Sequence, residues 1–324
     1  VIAKCLKFLL DIIVLLFISL VIIAILIAGV LYAPFKFSSD LRDLYIETAM
    51  TTFSHQWLAQ AFFDPKFIEQ VMKHNIAPEL NQNTAPGGIN VVAQNSIEIK
   101  DISGPNFAGK LMIVRNPAKV KISVTDTLLR RGEKIETLVQ KVNAIGGING
   151  SGFIDYQGRS VGGTPVGIII KDGKFVYYPG GRGLISIAGF NKDNVLIVGR
   201  YTLSQIKTLN LRDAVSPFYI LTVNGVDRIK GGTGGYGVQP RTAIGQTKDG
   251  TVLLLVIDGR QVHSIGATMK QVQDIMTQNG SINTVSLDGG SSTTMYYDGK
   301  IINKPSTKSS AKGRWLPSAF IVER

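Results

Sequence analysis

Two aspartates stand where chemistry is most readily built. Asp258 ends the apolar run Val252–Ile257, and Asp288 ends the run from Thr284 to Leu287; each is followed by glycine. A carboxylate at the mouth of a central strand can reach a ligand lying outside the sheet, as in α/β proteins generally. Between Thr137 and Val322 there is no glutamate, and His263 is the only histidine. Any nucleophilic or acid–base carboxylate in that stretch is therefore aspartate. Three of its other aspartates, Asp172, Asp249 and Asp298, sit in Asp-Gly turns, where the side chain supports local geometry. The blander reading is that Asp258 and Asp288 also only close their strands.

Their surroundings argue otherwise. Gly289 and Gly290 permit close backbone approach, Ser291, Ser292, Thr293 and Thr294 add hydroxyls, and consecutive N–H groups here can form an anion-binding nest. Arg260 follows Asp258-Gly259. Arg241-Thr242 opens another strand, and the Arg241 guanidinium matches the fork of a phosphate. The loop Gly231–Gly237 (GGTGGYG) lacks the lysine and the strand-to-helix placement of a phosphate loop, so it reads as a lid or a plain loop. His55, His74 and His263 have no partners at metal-ligand spacing. No metal site or cofactor is expected, although a divalent cation remains compatible with the inventory.

The 324 residues carry a formal charge of +12, which favours anionic partners such as a phosphate-bearing polymer or anionic lipid. The basic residues are scattered without an aromatic–basic motif, which argues against nucleic acid. A single cysteine, Cys5, excludes a disulfide scaffold and a cysteine zinc site. With 44% hydrophobic and 18% charged residues the chain is neither disordered nor collagen-like.

The positioning elements follow from periodicity. Residues 12–32 form an apolar run long enough to cross a bilayer, with Lys4 and Lys7 before it. The expectation is a single-pass anchor with residues 1–11 cytoplasmic and the remainder extracellular, a cleaved signal peptide being the rival. Residues 33–80 read as a helical juxtamembrane segment standing apart from the motifs, with Ile46, Met50, Phe53, Trp57 and Ala61 on one face. Residues 81–88 read as a linker. From 89 to 324 short strands dominate, bounded by Asp172-Gly173, Asn224-Gly225, Asp249-Gly250 and Asp298-Gly299 turns. Helices are expected from Ile135, after Thr202, and after Thr268, where Gln271 completes a capping box and Gly280 ends the helix. The fold class is mixed α/β, strand-dominated, preceded by one transmembrane helix and a short helical segment.

Four ordered motifs carry a resemblance: Asn149-Gly150-Ser151-Gly152-Phe153, Pro240–Gly245, Val256–Arg260 and Ser286–Met295. They resemble the signatures of the phosphodiester glycosidases (the uncovering-enzyme type), including membrane-tethered Gram-positive members, over roughly Ile89 to the C-terminus. The chain departs from the family pattern at Ser151-Gly152, Gln239, Ser286 and Ser291, where glycine-phenylalanine, histidine, asparagine and glycine are usual. The resemblance implies hydrolysis of the sugar C1–O bond of a sugar-1-phosphodiester in a cell-surface glycan. In that scheme Asp288 or Asp258 serves the anomeric carbon. Arg241, Thr242, Arg260 and the Gly289–Ser292 backbone hold phosphate, and Asn149 holds the sugar. The alternative is a non-catalytic module that binds an anionic cell-wall polymer.

Overall fold

The computed structural model describes the chain except residues 1, 53, 75–82, 85–88, 92–93, 157–158 and 307–312. It is a mixed α/β, strand-rich protein with a long apolar N-terminal helix. Three antiparallel sheets make up the domain. The largest has the strand order β1 (Ile97–Gly104), β2 (Phe107–Val114), β13 (Val252–Ile257), β12 (Arg241–Thr247), β14 (Ser281–Ser286), β10 (Tyr219–Val223), β11 (Val226–Asp227). The second runs β16 (Lys300–Ile301), β15 (Met295–Tyr297), β4 (Ala144–Asn149), β17 (Ser318–Glu323), β3 (Val120–Val124). The third runs β6 (Lys174–Tyr177), β5 (Ile169–Lys171), β9 (Leu211–Val215), β7 (Ile185–Asn191), β8 (Leu196–Tyr201).

The apolar run of β13 reads as continuous because both of its faces are covered. Val252, Leu254 and Val256 join a core shared by the three sheets, with Ile148, Phe190, Val215 and Phe320. Leu253, Leu255 and Ile257 face Met269, Val272 and Met276 of helix α7 (Met269–Gln278). Thr268 and Gln271 form the capping box expected for that helix. The Asp-Gly and Asn-Gly pairs make their turns: Asp172, Asn224 and Asp298 adopt positive φ, as do the glycines that follow them.

Helix α1 (Ile2–Tyr32) is long and apolar enough to cross a membrane, as an anchor or a signal sequence, and its described side chains are almost all exposed. The continuous helical face expected through residues 46–61 is interrupted. Helix α2 (Lys36–Met50) stops before α3 (Gln56–Gln60), and Trp57 is exposed; Phe53 lies outside the described residues. Thr51 and Thr52 donate their hydroxyls to the carbonyls of Glu47 and Ala49, a local competition that weakens helix continuation. Helix α4 (Pro65–His74) starts as expected, with Asp64 accepting from the Lys66 N–H.

The expectation that this helical segment stands apart from the motifs does not hold. Buried Glu47 accepts from the Thr233 hydroxyl at 2.5 Å and the Gly237 N–H at 3.3 Å, and Thr48 accepts from the Val238 N–H. The glycine loop is thereby pinned to α2. Most of the expected linker lies outside the described residues. Its Asn83 and Thr84 are bonded to Arg200 and Val198 along the edge of β8.

Candidate functional site

Strand β12 pairs antiparallel with both β13 and β14, so these two run parallel to each other and end on the same side of the sheet. That topology brings Asp258 and Asp288 together, with Arg241 at the start of β12 between them. Two strand spacings put their backbones roughly 10 Å apart. This is an antiparallel sheet, and the shared end comes from the flanking register, not from the parallel-strand rule that first pointed to it.

Asp288 is mostly buried, and its carboxyl faces Gly152, where an added Cβ would lie 4.0 Å from the Asp288 Cβ and Cγ. A Cβ at this position would be in van der Waals contact with the carboxyl and with Val166, so the glycine leaves a methyl-sized space in front of Asp288. Burial pushes the Asp288 pKa up to about 6, against the opposing effects of the Ser292 hydroxyl, the Arg314 charge and the Gly289 N–H. Folding is thus helped by protonation of Asp288. This contribution is complete below the ordinary value of 3.8 and is lost as pH rises through about 6. With allowance for the solvent-facing part of the group, ionisation in the fold costs about 2 kcal/mol. Asp288→Asn, neutral at every pH, is therefore expected to gain thermal stability relative to wild type between pH 4 and pH 8. Parallel melting curves across that range would show that the Asp288 charge is not penalised.

Asp258 is differently placed. One carboxylate oxygen accepts from the Asn303 amide at 3.0 Å and the Lys304 N–H at 2.9 Å, and the other lies 3.2 Å from His263 Nε2. The Asp258 side chain is 7% exposed and that of His263 35% exposed, so the aspartate is an inner partner orienting an accessible imidazole. Sequence reading passed over His263 because its partner lies in the tight turn five residues earlier and shows no ligand-type spacing.

The structure sets several of the residues expected at the phosphate against the protein's own backbone. Arg241 is 4% exposed; its Nε donates to the Ala267 carbonyl at 2.9 Å, and its Nη2 donates to those of Tyr236 and Gly237 at 2.8 and 2.7 Å. Its fork is spent on the protein's own backbone. Burial and then the nearby Arg260 charge push its pKa down to about 9, so it stays charged at neutral pH. Asn149, fully buried, donates to the Asp288 carbonyl and accepts from Thr242 and from the Thr294 N–H. Asn149 and Thr242 therefore hold the Asp288 loop in place. Three N–H groups of the expected nest region, those of Gly290, Ser292 and Thr293, donate to the carbonyls of Pro240, Gly289 and Gly290.

Two guanidinium groups do border the loop. Arg260, exposed and at positive φ, donates to Gln239 Oε1 and passes beside Gly290, where an added Cβ would lie 3.4 Å from its Nη2. Arg314 donates to Asp155 at 2.8 Å, lies 3.4 Å from the Ser291 hydroxyl and covers the Phe153 ring. Arg314 was not singled out in the sequence, since it lies beyond every motif, just before β17. Gln239 also bonds to Thr51, so α2 reaches Arg260 through a single side chain. A cleft of about 890 Å³ between α2 and residues 228–233 is lined by none of the expected site residues.

The family model described as phosphodiester glycosidase matches residues 142–323. Over 166 residues the chain is 26% identical to the mouse protein N-acetylglucosamine-1-phosphodiester alpha-N-acetylglucosaminidase, covering 44% of this chain and 31% of that one. Over 64 residues it is 42% identical to the SPbeta prophage-derived protein YomE of Bacillus subtilis strain 168, covering 20% of this chain and 10% of that one. The chain thus spans about a third or less of these curated relatives. A solved structure of the zebrafish N-acetylglucosamine-1-phosphodiester alpha-N-acetylglucosaminidase catalytic domain, auto-inhibited by its pro-peptide, superposes with a TM-score of 0.60. Its identity is 23%, over 75% of this chain and 87% of that one. A Burkholderia pseudomallei protein gives 0.51 at 17% identity, over 67% and 74%. At these identities the structural likeness is one of fold.

Proposed function

Because the chain belongs to the phosphodiester glycosidase family, we propose that it hydrolyses the sugar C1–O bond of a sugar-1-phosphodiester, tethered by α1 at the outer face of a membrane. The supporting observation is the Asp288 carboxyl, facing Gly152 in a loop bordered by Arg260 at Gly290 and by Arg314 at Ser291. Phosphate monoester is a good leaving group, so the demand falls on a carboxylate at the anomeric carbon and on cations at the departing oxygens. Asp288 supplies the first, ionised above about pH 6. Arg260 meets the phosphate, and Arg314 fixes the Ser291 side of the loop. His263, oriented by Asp258, is placed to exchange a proton with water or with the leaving group. The substrate is a phosphodiester-containing glycan or glycoconjugate.

The test is release of free sugar from a synthetic sugar-1-phosphodiester by the full chain in detergent. Binding without release would favour a non-catalytic module. Gly152→Leu should raise KM sharply, because the new side chain fills the space before Asp288. Unchanged KM with an unchanged melting temperature would move the sugar elsewhere.

A further inference from the structure

We propose that the apolar groove between α1, α2 and the Arg260–Ile265 hairpin holds the hydrocarbon chain of a lipid-linked sugar phosphodiester, a substrate class that rests on the glycosidase reading above. The groove encloses about 550 Å³. One wall is Leu26, Ile27, Val30 and Leu31 of α1; α2 and then Val238 and Ile265 close the others. Its two polar side chains are already satisfied. Thr48 donates to the Leu44 carbonyl and accepts from Val238, and Tyr45 donates to the Leu58 carbonyl. A space of this size with no free polar partner suits a hydrocarbon and offers water nothing to bind.

Position identifies which hydrocarbon. The α1 wall belongs to the membrane-length helix, so with α1 in a bilayer the groove opens toward lipid. The opposite wall adjoins the site. Val238 precedes Gln239, the acceptor for the Arg260 guanidinium, and the Ile265 carbonyl accepts from the Arg260 N–H. Arg260 in turn lies over Gly290, two residues along the loop from Asp288. In this proposal a phosphate on Arg260 has its sugar toward the Asp288 loop and its hydrocarbon in the groove. Val262, fully exposed, and half-exposed Ile265 put an apolar tip on the same hairpin, suited to resting on a membrane. Hydrolysis would break the sugar C1–O bond and add water, leaving free sugar and a lipid phosphate monoester in the membrane.

The experiment uses the full chain in vesicles and two sugar-1-phosphodiesters that differ only in aglycone, a long alkyl chain bearing a terminal diazirine or a short alkyl group. Photolabelling should map to Val238, Ile265 or α2 and be displaced by excess short-chain diester. Ile265→Glu and, from the other wall, Leu41→Glu should each lower kcat/KM for the long-chain diester at least tenfold relative to the short-chain one. Labelling elsewhere, labelling that the short-chain diester does not displace (an occupant drawn from bulk bilayer lipid), or equal losses on both substrates would overturn the proposal. Displaceable labelling of the groove with neither diester hydrolysed would leave the groove assignment standing and refute the glycosidase reading alone.

Discussion

Asp288→Asn lowers sugar release from a sugar-1-phosphodiester by roughly 10²–10⁴-fold, the scale of a positioned acid–base or nucleophilic group, and leaves the fold intact. Asparagine is nearly isosteric, so the contacts from Ser292 and Gly289 can still be made on its amide oxygen. What disappears is the negative charge and basicity facing Gly152, and those are what a cationic sugar transition state requires. Activity of the wild type should rise with pH through about 6 as Asp288 ionises, and the Asn variant should lose that limb. Asp258→Asn should be milder, since it weakens the orientation of His263 but leaves the Asp288 carboxyl in place. Full turnover in Asp288→Asn would remove Asp288 from the chemistry, whatever the family.

The second large effect is on folding. Arg241→Ala destabilises the protein by about 3–5 kcal/mol, because three buried carbonyls, those of Ala267, Tyr236 and Gly237, lose a charged donor together. Glu47 of α2, which the same arginine charge helps to balance, is left buried with less compensation. Arg241→Lys should recover only part of this, since an ammonium cannot span the Nε and Nη2 positions at once. Urea denaturation gives the loss directly. A variant with wild-type stability but reduced turnover would return Arg241 to the substrate.

The same contacts bear on the N-terminal segment. A fragment beginning at residue 89 lacks Glu47, Thr48 and Thr51, and with them the acceptors for Thr233, Gly237, Val238 and the Gln239 amide. The glycine loop and, through Gln239, Arg260 are thus partly built by a helix that sequence reading set apart as juxtamembrane. The pairing joins residues 186 and 190 positions apart, a separation at which no periodicity or motif spacing carries a signal.

What the sequence determined by itself was local. The Asp-Gly and Asn-Gly turns, the Thr268–Gln271 capping box, the length of α1 and the two-sided burial of β13 follow from neighbours within a few residues, where backbone sterics and hydrophobic pattern decide. The ends of β13 and β14 also marked Asp258 and Asp288, because polar residues before glycine stop an apolar run. Tertiary structure decided which of the marked side chains turn inward to the protein's own backbone. Arg241 turned inward, its Nε reaching the Ala267 carbonyl 26 residues away, and Asn149 closed on the Asp288 carbonyl 139 residues away. Arg314 came to the loop from the far end of the chain. A guanidinium or carboxamide has the same hydrogen-bonding capacity wherever it stands, and only the packed surroundings determine whether backbone or solvent-side space lies within its reach.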